Sequence, residues 1–300
     1  MLGLDKRTTF KILGLISVVR GYNILIIAIA QYLTSIFILA PDRPLRKVLF
    51  DPNLFILVVS SALAIAGGYI INSFYDSEKD LINRPRKAML DRLVSQQTRL
   101  VTYFVLNFLS VIVASAISFR AVLFFSAYIF AIWLYSHKLK KIVFAGNIVA
   151  AVLSITPFFI VFIYYKNFAT IIFVHATFLF LIIAIRELVK DLENLKGDFT
   201  QNYRTIPVVL HPNISKVFIT FLVILSLLPV YLLVTYFEIG YMYVYFICST
   251  ILLLIFGIVI WKASVRRHYV WLHNILKLII VAGVFSILLI DISVVISRLV

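Results

Sequence analysis

Of the thirteen Asp and Glu residues in this 300-residue chain, eight fall in two short segments. The first holds Asp76, Glu78, Asp80 and Asp91, the second Glu187, Asp191, Glu193 and Asp198. Asn72, Asp76 and Asp80 are spaced i, i+4, i+8, which places them within about 80° of one another on a continuous helix. Glu187, Asp191 and Asp198 share a face in the same way if their helix continues, but Gly197 predicts a helix end just before Asp198. Glu193 points to the opposite side. Carboxylates one turn apart repel, so a cation is expected to compensate them. Clustered carboxylate and amide oxygens suit a hard cation, and Mg²⁺ in particular takes one or two carboxylates while keeping water and phosphate oxygens in its shell. Asn72, Asp76 and Asp80 are therefore expected to hold one Mg²⁺, and Glu187, Asp191 and Asp198 a second, with a diphosphate between the two clusters. Arg84 and Arg86 after the first segment, Lys138 and Lys140 in the loop from Tyr135 to Lys141, and Arg204 after the second are expected to take the remaining phosphate oxygens.

The elements that must position these groups are membrane spans. The chain is 63% hydrophobic and 14% charged, with a mean hydropathy of +1.05, which excludes a water-soluble fold. About 20 mostly apolar residues make a transmembrane helix. The sequence predicts nine, near residues 12–40, 54–72, 100–118, 121–136, 143–165, 168–186, 215–236, 241–261 and 275–297: an all-α membrane protein, a single bundle with its active-site loops on the cytoplasmic side. The net charge of +15 resides mostly before the first span and in the even-numbered connections. By the positive-inside rule this places the N-terminus and those loops in the cytoplasm and the C-terminus outside, and it argues for loops and membrane surface rather than nucleic acid. Lys6, Arg7 and Lys11 precede an uninterrupted apolar stretch without a small-residue cleavage site, an anchor rather than a signal peptide. Cys248 stands alone, so neither an intramolecular disulfide nor a cysteine zinc site is available. Residues 1–300 form one domain, with a weak repetition between about 1–140 and 141–300, because in each part an apolar helix runs into an acidic segment and then into a stretch with Arg and Pro. Arg20 and Asn23 are polar inside the first span, where a charge costs at least about 2.5–3.5 kcal/mol; they face the bundle interior and the diphosphate, or Arg20 snorkels to the surface. His175 is expected to be a hydrogen-bonded bundle residue, and Ala66-Gly67-Gly68 a close helix contact.

Asn72-Ser73-Phe74-Tyr75-Asp76-Ser77-Glu78-Lys79-Asp80, followed by Asn83-Arg84-Pro85-Arg86, resembles the first aspartate-rich motif of the UbiA superfamily of intramembrane prenyltransferases. Glu187 to Asp191, continuing to Gly197-Asp198, resembles the second. Arg20-Gly21-Tyr22-Asn23 is similar to that superfamily's RPxN motif, and Tyr135 to Lys140, with Gly146-Asn147 following, to its YSxxLK loop. The resemblance covers nearly the whole chain. Its departures are Ser73 for the usual Asp, Gly21 for the usual Pro, and an altered run after Arg84-Pro85. The resemblance implies Mg²⁺-dependent transfer of a prenyl chain from an allylic polyprenyl diphosphate to a lipid or aromatic acceptor, with Asp76, Asp191, Lys138 and Tyr135 closest to the chemistry. Tyr135 would orient the substrate or serve as an interfacial aromatic. The continuation Asp80 to Pro85 is most similar to the branch acting on geranylgeranylglyceryl phosphate and chlorophyll-type acceptors. The alternatives are an inactive member of the superfamily and a transporter or channel, which would spread ionisable residues through several spans; here only Arg20 and His175 are expected at depth.

Overall fold

The computed structural model describes residues 14–291. Lys6, Arg7 and Lys11 of the expected anchor, Arg298 and the end of the ninth expected span lie outside the described residues. Within them the chain is helical and contains no strand. In order, the helices are α1 (Gly21–Thr34, continued by a π turn at Ser35–Leu39), α2 (Leu45–Leu49), α3 (Pro52–Tyr75), α4 (Ser77–Asn83), α5 (Pro85–Asp91), α6 (Gln96–Ser115), α7 (Phe119–His137), α8 (Ala145–Tyr165), α9 (Thr170–Thr200), α10 (Ile206–Val209), α11 (Pro212–Tyr236), α12 (Met242–Lys262) and α13 (Arg266–Ser286). Nine of them, α1, α3, α6, α7, α8, α9, α11, α12 and α13, are long and apolar enough to cross a membrane. The protein is an integral membrane protein.

Local chemistry fixes where the spans start. Asp51 accepts from the N–H groups of Asn53 and Leu54 and Pro52 occupies the first turn of α3; the Ser95 and Ser118 hydroxyls cap α6 and α7 in the same manner. Pro157, inside α8, cannot donate to the carbonyl one turn back. Tyr128 of α7 supplies the missing donor, its hydroxyl 3.2 Å from the Leu153 carbonyl oxygen.

Two helices organise the bundle. The α3 helix is the most enclosed of the nine spans and packs chiefly along α6 and α7, whereas α9 packs along α11, α13 and α8. One apolar core gathers side chains between Ile36 and Val161; another gathers side chains between Phe178 and Ile287. The outward faces are apolar as well, with Phe104, Phe108, Phe221 and Ile258 all exposed, as lipid rather than water demands. Gly67 serves the close α3–α6 contact that its neighbours suggested: a Cβ there would lie 2.6 Å from Asn107 Oδ1.

Two boundaries differ from the sequence expectation in a way that matters for the site. The α9 helix does not stop near residue 186, where the expected span ends, or at Gly197 but runs unbroken to Thr200, carrying the whole second acidic segment on its end. The ninth span begins at Arg266 rather than near residue 275, because Arg266, Arg267 and His268 lower the apolar average without breaking the helix.

Candidate functional site

The first acidic segment is almost, but not wholly, a continuation of α3. The helix closes at Tyr75, Asp76 adopts φ −90° and ψ 3°, and α4 restarts at Ser77. The one-turn hydrogen-bond pattern nevertheless persists, from the Asp76 N–H to the Asn72 carbonyl (3.0 Å) and from the Asp80 N–H to the Asp76 carbonyl (2.8 Å). The α4 helix then packs against the end of α9. Asn83 makes the junction: its Nδ2 donates to the Asn194 carbonyl (3.2 Å) and its Oδ1 accepts from the Gly197 N–H (3.1 Å). A Cβ at Gly197 would sit 2.4 Å from Asn83 Nδ2. Gly197 is thus present to let the two acidic segments touch, not to end a helix.

Between them lies a small polar cavity of about 40 Å³. Of the expected site residues, the structure brings Asn72, Asp76, Tyr135, Lys140, Glu187, Asp191 and Asp198 to its walls, together with Lys79, Asn147, Lys190, Asn194, Tyr203 and Thr205. Asp80, Arg84, Arg86, Lys138, Arg204, Arg20 and Asn23 are not part of this lining. Lys138 and Arg86 are exposed. Arg204 contributes a backbone N–H to the Lys141 carbonyl (3.1 Å), tying the loop after α9 to the loop after α7. Arg84 turns away to Glu193 (3.0 Å), which also holds Arg266 (3.3 Å) and His273 Nδ1 (2.9 Å). Asn23 donates to the Tyr69 hydroxyl (3.1 Å), and the Arg20 guanidinium lies 5.3 Å from the Tyr69 ring centre.

Inside the cavity each acid has its own kind of partner. Asp76 Oδ1 accepts from Lys140 Nζ (2.8 Å) and from the Tyr203 hydroxyl (3.0 Å), with Lys79 Nζ at 3.4 Å. Lys140 Nζ also donates to Asn72 Oδ1 (3.2 Å). Lys79 bridges to Asp198 Oδ1 (3.3 Å) and lies 4.3 Å from the Tyr203 ring centre. Glu187 is held by Lys190 (2.6 Å) and Arg186 (3.0 Å). Asp191 has only a neutral partner, the Asn147 amide, at 2.7 Å. Burial alone would raise the Asp76 carboxyl, but Lys79, Lys140 and the Tyr203 hydroxyl outweigh it and hold it well below the usual carboxylate range. Burial would lower Lys79, and Asp76 and Asp198 reverse that and push it up. Asp80 is pushed up by burial and by the neighbouring Asp76 charge. Burial and Asp76 raise Tyr203, which keeps its proton as a donor.

No three His, Cys, Asp or Glu side chains among the described residues converge closely enough to cage a metal unaided. The donor chemistry fits a hard divalent ion that shares its shell with substrate: the walls are carboxylate and amide oxygens, and Asn194 Oδ1 is buried there without a hydrogen-bond partner. Lys79, Asn147, Lys190, Asn194, Tyr203 and Thr205 were not expected as site residues. Lys79, one turn from Asp76, and Asn147, at the start of α8, carried a positional signal; Tyr203 carried none. Ser73 points away from the cavity and lies 3.4 Å from Asp91, which Lys87 and Ser17 also hold, so the departure at this position does not alter the cavity wall.

A larger cavity, about 150 Å³, lies among α1, α8, α9, α12 and α13 and is walled by Phe158, Phe162, Phe178, Phe246 and other apolar side chains. It holds no carboxylate and is not where charge chemistry takes place. His175, in its wall, bonds through Nδ1 to the Ile171 carbonyl (2.8 Å), as a bundle residue should.

The sequence profile of the UbiA prenyltransferase family matches residues 22–287. A digeranylgeranylglyceryl phosphate synthase of Thermococcus sibiricus is 33% identical over 221 residues, 72% of this chain and 76% of the relative. One from Methanobrevibacter smithii is 26% identical over 257 residues, 82% and 86% of the two chains. A solved digeranylgeranylglyceryl phosphate synthase superposes with a TM-score of 0.68 at 19% identity, over 92% of this chain and 97% of that one. A UbiA homologue from Archaeoglobus fulgidus bound to GPP and Mg²⁺ does so with a TM-score of 0.67 at 16% identity, over 91% and 99%.

Proposed function

Since the chain belongs to the UbiA prenyltransferase family, and is therefore an intramembrane prenyltransferase, we propose that it moves a geranylgeranyl chain from its diphosphate to geranylgeranylglyceryl phosphate. The observation that carries this reading is the cavity at the α3–α4 and α9 junction, where Asp76, Glu187, Asp191 and Asp198 face Lys79, Lys140 and Lys190. The names of the relatives support the acceptor.

In the reaction the allylic C–O bond of the donor breaks, the diphosphate leaves with its electron pair, and a C–O bond forms to the acceptor hydroxyl, which loses its proton. Mg²⁺ bound by Asn72, Asp76, Glu187, Asp191 and Asp198 would neutralise the diphosphate and stabilise the charge it gains on departure. Lys140 and Lys79 are placed to exchange their present carboxylate partners for phosphate oxygens, and Tyr203 to donate to one. Asp191, which among the described residues is bonded only to the neutral Asn147 amide, has no ion pair to break before it receives the incoming ion. Asp80, one turn beyond the cavity, belongs to this set only through its effect on Asp76. The Phe-walled cavity and the apolar bundle offer the isoprenoid tail a dry path, and aromatic faces stabilise allylic cationic character by about 0.5–2 kcal/mol each. The acidic end faces the cytoplasm in this reading, as the charge asymmetry of the loops supports.

The test is purified protein in lipid nanodiscs with radiolabelled geranylgeranyl diphosphate, Mg²⁺ and a panel of glyceryl phosphate, hydroxybenzoate and naphthoate acceptors. The reading expects a prenylated glyceryl phosphate lipid. Product with aromatic acceptors alone, or with none, would overturn it.

A further inference from the structure

Glu193 stands on the side of α9 away from the cavity, about 160° round the helix from Asp191, and it is buried. A carboxylate taken out of water is retained only where charged or hydrogen-bonding partners surround it. Its Oε1 accepts from Arg84 Nη2 (3.0 Å) and Arg266 Nη2 (3.3 Å), and its Oε2 lies 2.9 Å from His273 Nδ1. Arg266 and His273 are two turns apart on α13 and so share a face. Arg84 comes from the link between α4 and α5. One carboxylate therefore joins α9, α13 and the end of α4.

What α4 carries gives this junction a bearing on the cavity. The helix has 7 residues, too few to be stable on its own, and within it only the polar Asn83 is fully buried. Polar ties at its two ends, rather than a buried apolar face, set its place. At one end Asp76 holds Lys140 and Tyr203. At the other, Asn83 grips the Asn194 carbonyl and the Gly197 N–H while Arg84 grips the Glu193 carboxylate. Between the ends Lys79 faces both acidic segments, 3.4 Å from Asp76 and 3.3 Å from Asp198. Asn194, next to Glu193, presents its buried and unpartnered Oδ1 at the cavity wall, so the grip on α4 and the wall of the cavity are consecutive residues.

We propose that Glu193 is a positioning residue for the donor site: by holding Arg84 against α9 and α13 it fixes α4, and with it the spacing of the two acidic segments. The assignment rests on the reading of the cavity as the site of the metal-bound diphosphate. Glu193 touches neither ion nor substrate in this account and acts through Arg84 and α4. Arg84 and Arg266 meet at one carboxylate oxygen, so removing its charge leaves two guanidinium groups that repel, and the end of α4 moves away from α9. Lys79 and Asp76 then no longer face Asp191 and Asp198 at the spacing one diphosphate requires. A cavity loosened in this way binds substrate and transition state more weakly alike, which raises KM and leaves kcat nearly unchanged.

The experiment uses full-length protein in lipid nanodiscs, with geranylgeranyl diphosphate and Mg²⁺ as probes, at a temperature where each variant is folded. In Glu193→Gln, KM for the diphosphate and the Mg²⁺ concentration for half-maximal binding should each rise at least tenfold, with kcat within about threefold of wild type. Glu193→Asp keeps the charge on an arm one methylene shorter and should raise KM by only about threefold; it carries the test if Glu193→Gln does not fold, and an unchanged KM there would overturn the assignment. Arg84→Gln should match Glu193→Gln, and the double variant should be no worse than either, because both cut one tie. A lower unfolding temperature in Glu193→Gln with unchanged KM and Mg²⁺ dependence would make Glu193 a purely structural tie and overturn the proposal. A raised KM in Arg84→Gln but not in Glu193→Gln would place Arg84 on the diphosphate itself, and overturn it too. Wild type without Mg²⁺-dependent diphosphate binding would overturn the reading of the cavity and this assignment with it.

Discussion

The two acidic segments meet at one cavity but are neutralised in different ways. Asp76 lies at a break between α3 and α4, and its partners come from elsewhere: Lys140 from the loop after α7, Tyr203 from the loop after α9, and Lys79 from the next turn. The second segment lies on an unbroken helix, where Glu187 takes its cations from adjacent positions and Asp191 meets only an amide. The break lets one carboxylate act as a tie between three chain segments; the continuous helix presents another that is held by an amide and by no ion pair among the described residues. Removing each should therefore affect activity alike and stability differently.

The largest effects follow directly. Asp76→Asn and Asp191→Asn should each lower kcat by about 10²–10³, the range for losing one electrostatic element of a reaction centre. Only Asp76→Asn should also unfold more readily, by about 3–5 kcal/mol, because it leaves the buried Lys140 without a carboxylate and Lys79 with Asp198 alone. Asp191→Asn keeps its acceptor oxygen for Asn147 and should change stability by less than about 1 kcal/mol. Thermal unfolding in detergent beside turnover separates the two; equal stability losses would break the comparison. Next, Gly197→Ala should cost about 1–3 kcal/mol as its Cβ meets Asn83 and should reduce turnover by loosening the contact between the segments, and Asn83→Ala in the same chain should restore part of the stability.

The pH dependence sharpens the contrast within the first segment. The lowered Asp76 contributes stability that is present above the ordinary carboxylate value, about 4, and lost as pH falls below it. The raised Lys79 contributes stability present below the ordinary lysine value, about 10.4, and lost as pH climbs past it. Asp80, raised, has the opposite sign to Asp76: its folded form binds a proton more readily, so Asp80→Asn should stabilise the protein at neutral pH while Asp76→Asn destabilises it. Unfolding curves of the two variants between pH 4 and 8 check this. The smallest effect separates two lysines in one loop. Lys140→Ala should raise KM for the diphosphate at least tenfold, and the exposed Lys138→Ala by less than twofold.

Much of the fold was legible because membrane spans obey a simple rule of length and polarity. Asp191 and Glu187 were legible too, since their spacing survives on a continuous helix. What escaped depends on contacts between segments distant in sequence. Gly197 suggested a helix end, and only the approach of Asn83, 114 positions earlier, gives it another reason. Tyr203 has no local pattern that marks it as a partner of Asp76. Arg84 looked like a phosphate ligand from its neighbours and instead serves Glu193 across the bundle.

Magnesium-dependent binding of geranylgeranyl diphosphate, measured for wild type, Asp76→Asn, Asp191→Asn and the double variant, tests most directly whether the two segments act on one diphosphate. Groups that share one ligand are strongly non-additive: each single variant should lose at least a hundredfold in affinity, and the double variant should be little worse than either. Full affinity in either single variant, or losses that simply multiply in the double, would contradict a shared site.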